Sequence, residues 1–304
     1  MGSYIVKKCG QAVIVCFGVS LIAFVLLNVA GDPVNVLLPA EAGKEDIDQL
    51  RRQLGLDKPL YVQYGIFLSK AIRADFGKSL FIEQSAISLV MERVPATLEL
   101  ASAAMLLAVL IAVPLGILSA IRQYSLTDNI CTIIAVSGQA MPIFWFGIML
   151  IIIFSVKFHI LPSSGRGELR HLVLPALTLA VNLAPILMRL TRSGMLEVLS
   201  QDYIRTARSK GLNERIVLVK HAFKNVAPPL ITVIGLQIGR LFGGSIIAES
   251  VFAWPGVGQF AVQSILRSDY PVVQACIIMM ALMVVLANLT ADVAVAALDP
   301  RIQS

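Results

Sequence analysis

Charge is what this chain has least of. Asp, Glu, Lys and Arg together make up 14% of its 304 residues, where a soluble domain carries about a quarter. That shortage excludes an ordinary water-facing globule. Histidine is scarcer still: His159, His171 and His221 stand apart, with no zinc-protease spacing and no carboxylate at a fixed offset. No nucleophile elbow, glycine-rich dinucleotide loop or pair of intramembrane aspartates is present, so no catalytic residue is assigned and the chain is expected not to be an enzyme. Cys9, Cys16, Cys131 and Cys276 lie far apart in or beside apolar runs, which reads as small buried apolar residues, not as metal ligands. Gly77-Lys78-Ser79 looks like the end of a phosphate-binding loop, but Ile72 stands where that loop needs its first glycine. No metal and no cofactor is therefore expected on this chain.

Apolar residues are what it has in abundance: 57% of the sequence, with a mean hydropathy of +0.80. The fold class that follows is all-α, a polytopic membrane protein. Six stretches approach or exceed the ~20 residues needed to cross a bilayer: Cys9 to Ala30, Ala96 to Ile121, Ile130 to Val156, Leu172 to Met188, Leu230 to Glu249 and Val272 to Leu298. The first is too long for the apolar core of a typical signal peptide and reads as an uncleaved span. The fourth holds Pro175, Asn182 and Pro185, which are tolerated where neighbouring helices shelter the freed carbonyls, so a central position is expected.

The cations set the orientation. One side carries Lys7, Lys8, Arg122, Arg189, Arg192, Arg205, Arg208, Lys210, Arg215, Lys220, Lys224 and Arg301; the other carries only Lys157, Arg166, Arg170 and Arg267 in its short loops. The positive-inside rule then gives six transmembrane helices, N-in and C-in. The +6 net charge is explained the same way, with membrane lipid as the partner and no nucleic acid. The organisation expected is an N-terminal transmembrane helix over 1–31, an extracytoplasmic loop over 32–94, and a five-helix core over 95–304 with a cytoplasmic loop at about 193–228.

The extracytoplasmic loop is partly helical. Leu60, Tyr64, Phe67, Leu68, Ala71 and Ile72 recur at helical spacing, and Glu45 to Leu54 makes a shorter helix. A cap on the membrane domain and a docking surface for an extracytoplasmic partner are both compatible with it. In the fifth span Gly235, Gly239 and Gly243 recur every four residues, a stripe suited to close helix packing. Gln237 and Arg240 occupy other faces of the same helix. An arginine at that depth costs about 3 kcal/mol on insertion scales, so it faces a wet cavity on a translocation path or a buried ionic partner. Glu99, Glu249 and Asp292 fall near span ends, where solvation or pairing is expected. Trp254 suits the membrane interface. After the Pro255-Gly256 turn, Val257, Phe260, Ala261, Ser264 and Ile265 mark a short re-entrant or surface helix.

Between the fourth and fifth spans lies DYIRTARSKGLNERIVLVKHAFKNVAPP, from Asp202 to Pro229. Good helix formers run from Tyr203 to Lys210; Gly211 supplies a left-handed stop and Asn213 caps a relaunch. This basic knob is a handle on the cytoplasmic side. It resembles the EAA loop of ABC importer permeases, with Gly211 and Ala207 matching that pattern, Arg205 and Thr206 replacing its Glu and first Ala, and His221, Phe223 and Lys224 replacing its Ile, Leu and Pro. The form DYIRTARSKGL is closer to that of the dipeptide, oligopeptide and nickel permease family. So are GDP at Gly31, LGLDKPLYVQY from Leu54, VPATLEL from Val94, FAWPGVG from Phe252 and DYPVVQA from Asp269, in order over nearly the whole chain.

The resemblance implies a type I importer permease of a bacterial cytoplasmic (inner) membrane. Its implied partners are a second homologous permease subunit, two ATPase subunits carrying ATP and Mg, and an extracytoplasmic substrate-binding protein. Tyr203, Arg205, Thr206, Ala207, Arg208, Lys210 and Gly211 are then ATPase-coupling residues, and the mechanism is alternating access. Short peptides are the first cargo it implies, with nickel, metal–metallophore complexes or glutathione as the alternative. A stand-alone secondary transporter or channel is the rival class. It requires inverted repeats and midplane ionisable groups, of which only Arg240 partly qualifies.

Overall fold

The computed structural model describes residues 2–30, 43–54 and 57–298, and within them every regular element is helical. In chain order these are α1 (Gly2–Ala30), α2 (Lys44–Leu54), α3 (Leu60–Ile72), α4 (Ala86–Met91), α5 (Val94–Ile121), α6 (Leu126–Ala140), α7 (Ile143–Leu150), α8 (Leu169–Leu199), α9 (Asp202–Ser209), α10 (Glu214–Ile216), α11 (Lys224–Val251), α12 (Val257–Leu266) and α13 (Tyr270–Leu298). π-helical segments follow α7, at Ile151–Lys157, and α10, at Val217–Phe223. The GDP stretch at Gly31 and the C-terminal Arg301 lie outside the described residues.

Among the described residues, four helical stretches are long and apolar enough to cross a membrane: Ala86–Ile121, Leu169–Leu199, Glu214–Val251 and Tyr270–Val293. The expected single span from Ile130 to Val156 is instead broken, its two halves meeting at 107° between Ala140 and Ile143. Pro142 explains the break. It supplies no N–H to the preceding turn and forces Met141 into extended backbone, with ψ 130.

The chain divides into two compact units. One comprises residues 1–5, 98–254 and 286–304. Its centre is α8, where Leu174, Ala180, Leu187 and Met195 are all buried. Pro185 leaves the Val181 carbonyl without its usual helical donor. Gly138 of α6 lies against that carbonyl, so close that a Cβ there would sit 3.1 Å from it and 2.9 Å from Val181 Cγ1. Neighbouring helix, not lipid, covers the defect. Trp254 is 1% exposed in this unit: its backbone N–H bonds the Glu249 carbonyl and Arg166 sits 5.9 Å from its ring. Glu249 is fully buried as well, while Glu99 meets Arg166 at 2.6 Å on the exposed surface.

The other unit comprises residues 6–97 and 255–285. Here α3 packs on α1 through an aromatic cluster of Phe17, Phe24, Tyr64 and Phe67, with Tyr64 and Ser20 hydroxyls 2.8 Å apart. Helical spacing of 64 and 67 explains why one face meets α1 and the other stays open. Ser79, in the false phosphate-loop stretch, donates to the buried Asp269 and accepts from the Phe81 and Ile82 N–H groups. Its hydroxyl therefore organises a turn. At the start of α12, Thr97 Oγ1 accepts from the Val257 N–H at 2.9 Å, and Arg93 lies 4.8 Å over the Phe260 ring.

Two glycines of the α11 stripe meet different surroundings within the chain. Four-residue steps drift ahead of the 3.6-residue turn, and the environments differ accordingly. A Cβ on Gly235 would fall 2.4 Å from Ala291 Cβ of α13, whereas one on Gly243 would meet nothing within 4 Å. Gly235→Ala is expected to destabilise by about 1–3 kcal/mol through overpacking, and Gly243→Ala to stay within about 0.5 kcal/mol of the parent. Thermal midpoints of the detergent-solubilised chain test this; equal midpoints for the two variants would refute the close approach.

Candidate functional site

Two features stand out: a short polar helix outside the long ones, and a polar cleft among them. The short helix is α9. Only Ile204 and Ala207 are buried in it, one helical turn apart, at 0% and 7% exposure. They rest on Ala120 of α5, Met195 of α8, Val217 and Ala222 of the second π segment and Val226 of α11. An isolated eight-residue helix has no stability in water, so this small apolar seat is what keeps α9 formed. Tyr203, Arg205, Thr206, Arg208, Lys210 and Gly211 are all exposed. Ala207 thus belongs to the seat, and the other six to the surface.

The turn after α9 is built as the sequence suggests. Gly211 has φ +73, a left-handed conformation that L side chains disfavour, and its N–H bonds the Arg208 carbonyl. Asn213 accepts from the Arg215 N–H at 3.0 Å and opens α10. Arg208 reaches across the turn to Glu214, with donor–acceptor distances of 2.7 and 3.2 Å. That bond raises the Arg208 pKa above its ordinary value, outweighing partial burial. Both partners are about half exposed, so the pair contributes under about 1 kcal/mol and chiefly fixes the bend. Arg208 is therefore engaged within the chain. Arg205 comes only to 3.7 Å from a fully exposed Asp202, so it and Lys210 remain for contacts outside. Tyr203 accepts at its hydroxyl from Asn225 Nδ2 at 2.9 Å, tying α9 to the start of α11.

Beside this seat lies a cluster that the motif reading passed over. Asp128, 4% exposed, accepts from Arg192 Nε and Nη2 at 2.9 and 2.8 Å, from the Ser119 hydroxyl, and from the Tyr124 N–H at 3.0 Å. Those four donors use the roughly four acceptor sites of a carboxylate. Tyr124 has φ +60, and its bond to Asp128 helps hold that strained turn. The legible signal was Ser125-x-x-Asp128 ahead of an apolar run, a capping-box pattern. Ser125 does cap, accepting from the Asp128 N–H at 3.3 Å.

The cleft lies between α8 and α11. Ile143, Leu179 and Leu183 give it an apolar wall, and the polar residues Asn182, Gln237 and Arg240 also line it. Its volume is about 60 Å³. Gln237 is 3% exposed and, among the described residues, its Nε2 has no hydrogen-bond partner. Arg240 is exposed and, among the described residues, forms no ion pair. Gly239 is half-buried on the same helix, Gly235 lies against α13, and Gly243 faces open space. The glycines and the polar pair thus occupy different surroundings.

Residues 112–304 match the sequence profile of the "Binding-protein-dependent transport system inner membrane component", and residues 1–101 match that of its N-terminal part. The chain is 40% identical to the oligopeptide transport system permease protein AppB of Bacillus subtilis, over all of both chains. It is 39% identical to the glutathione transport system permease protein GsiC of Escherichia coli K12, covering all of this chain and 99% of that one. A chain of the MetNI methionine ABC transporter, solved in an inward-facing conformation, shares the fold with a TM-score of 0.59 and 20% identity, over 69% of this chain and 96% of that one. These matches span the sequence from end to end, and the chain belongs to the family of binding-protein-dependent transport system inner membrane components.

Proposed function

We propose that this chain is one of two permease subunits in an ATP-driven importer of short peptides, and that α9 is the surface on which a separate ATPase subunit acts. The observation that carries the reading is the seating of α9. A helix with two buried side chains, resting on α5, α8 and α11 together, displaces all three when it is displaced. Arg205 and Lys210 offer charge-assisted contacts to carboxylates on that partner. ATP and Mg belong to the ATPase, a substrate-binding protein delivers cargo from outside, and the second permease completes the path. Six spans, N-in and C-in, fit this reading: α1, α5, the bent pair α6–α7, α8, α11 and α13. Short peptides are the favoured cargo because AppB and GsiC are named for oligopeptide and glutathione transport, and glutathione is itself a tripeptide.

The test is co-expression with ATPase, second-permease and substrate-binding subunits from the same source, followed by co-purification and uptake in proteoliposomes. An ATPase subunit is expected to co-purify with the parent chain. Gly211→Pro, which cannot adopt φ +73, is expected to lose it along with ATP-dependent uptake. Uptake by this chain alone, without ATP, would refute the reading.

A further inference from the structure

The polar cleft between α8 and α11 is the feature least accounted for by packing. Arg240 and Gln237 stand near the middle of α11, and Asn182 near the middle of α8. A buried amide nitrogen without a partner is rare and calls for a cause; Gln237 Nε2 is such an atom. A guanidinium at this depth also demands an anion or water. Both are donors only at the atoms concerned, and both line one concavity. A cavity needs about 10–15 Å³ on the same measure to take one water, so about 60 Å³ admits a group larger than water but far smaller than a peptide. The apolar wall of Leu179, Leu183 and Ile143 lowers the local dielectric and strengthens whatever charge pairing occurs there.

We propose that this cleft receives a carboxylate of the passing cargo, bound by the Arg240 guanidinium and the Gln237 Nε2 amide. Asn182 adds a third donor from α8. The proposal rests on the peptide-import reading and sharpens it: a zwitterionic or acidic peptide always carries a carboxylate. The planar fork of Arg240 fits that group bidentately, which a lysine does not. The site is made from two helices that both contribute to the α9 seat, through Met195 of α8 and Val226 of α11.

The experiment uses the complete complex with its binding protein in proteoliposomes. Uptake is measured for tri-alanine, for tri-alanine amide, and for Ala-Glu-Ala amide, which carries only a side-chain carboxylate. The binding protein is common to parent and variant, so the variant-to-parent ratio for each cargo isolates the permease. Arg240→Gln is expected to reduce tri-alanine uptake by about 10- to 100-fold, the loss of one charge-assisted contact, while the amide's ratio changes less than twofold. Arg240→Lys is expected to lie between. An Ala-Glu-Ala amide ratio that falls with tri-alanine assigns the site to any carboxylate, and one that stays with the amide assigns it to the C-terminus; both uphold the proposal. Equal loss on all three cargoes, as an ion pair with the second permease would give, overturns it. Absence of ATP-dependent uptake by the parent complex would instead refute the import reading.

Where the binding protein rejects amides, or where Arg240→Gln fails to assemble, Gln237→Cys provides the readout in nanodisc-embedded complex without that protein. Tri-alanine is expected to slow thiosulfonate modification of the cysteine at least fivefold, and tri-alanine amide not to. Equal protection by both, or by neither, overturns the proposal.

Discussion

Ile204→Asp is expected to abolish uptake, by more than 100-fold, in a complex whose long helices still fold. Ile204 is the larger of the two buried side chains in α9 and has no exposed surface. Removing it forfeits about 1.5–3 kcal/mol of apolar burial, and placing a carboxylate against Met195, Val217 and Val226 adds a desolvation cost on top. An eight-residue helix has nothing in reserve, since a segment that short does not hold helical geometry by itself. The seat therefore empties and α9 leaves α5, α8 and α11. A graded series makes the argument quantitative: Ile204→Val costs about 0.5–1.5 kcal/mol and Ile204→Ala about 2–5. ATP-dependent uptake is expected to fall in the order Ile, Val, Ala, Asp, with ATPase co-purification falling in step. Ser209→Asp adds the same charge to the same helix at an exposed position and is expected to leave uptake within about threefold, consistent with small surface effects. A flat series across Ile204 variants would show that the seat transmits nothing.

The features legible in the sequence were those with a local cause. Gly211 and Asn213 punctuate α9 and α10 through turn and cap chemistry that needs no distant partner. The spacing of Tyr64 and Phe67 likewise announced a helix with one apolar face, and α3 forms there. What escaped was what depends on two segments meeting. Pro142 was visible, but a bend of 107° was not, because an apolar run reads the same whether straight or broken. That Trp254 is buried by protein was not legible either, since its surroundings come from Glu249 and Arg166. Gly235, Gly239 and Gly243 looked alike in the sequence; only the position of α13 makes Gly235 different. Gln237 and Arg240 were legible as polar residues in an apolar helix. That Asn182 shares their cleft was not, because it sits 55 residues upstream on another helix.

Asp128→Ala is expected to be the most destabilising single change on the α9 side of the protein, by about 3 kcal/mol or more. The carboxylate is buried and takes four donors from three places: Ser119 at the end of α5, Tyr124 in the turn, and Arg192 in α8. Removing it leaves Arg192, whose side chain is 28% exposed, without its ionic partner and with only the Ser119 hydroxyl at 3.0 Å, and breaking such a pair from one side is the costly case. It also frees Tyr124 from the bond that helps hold φ +60. Asp128→Asn is no milder in this geometry, because an amide turns one acceptor into a donor facing donors already there. The pair's own share is isolated by adding Arg192→Met. The double variant is expected to be more stable than the sum of the singles by about 1.5–3 kcal/mol, a coupling typical of residues in one network. Thermal midpoints of the purified complex give the cycle, and strict additivity would rule the network out. The functional consequence follows from position. Ser119 adjoins Ala120 and Arg192 lies one turn before Met195, and both Ala120 and Met195 floor the α9 seat. The knot joins the ends of α5, α6 and α8, so on the proposed coupling role of α9 a displacement there is expected to reach all three. With it cut, α9 still docks but moves a loosened floor, and uptake per ATP hydrolysed is expected to fall even at temperatures where the variant remains folded.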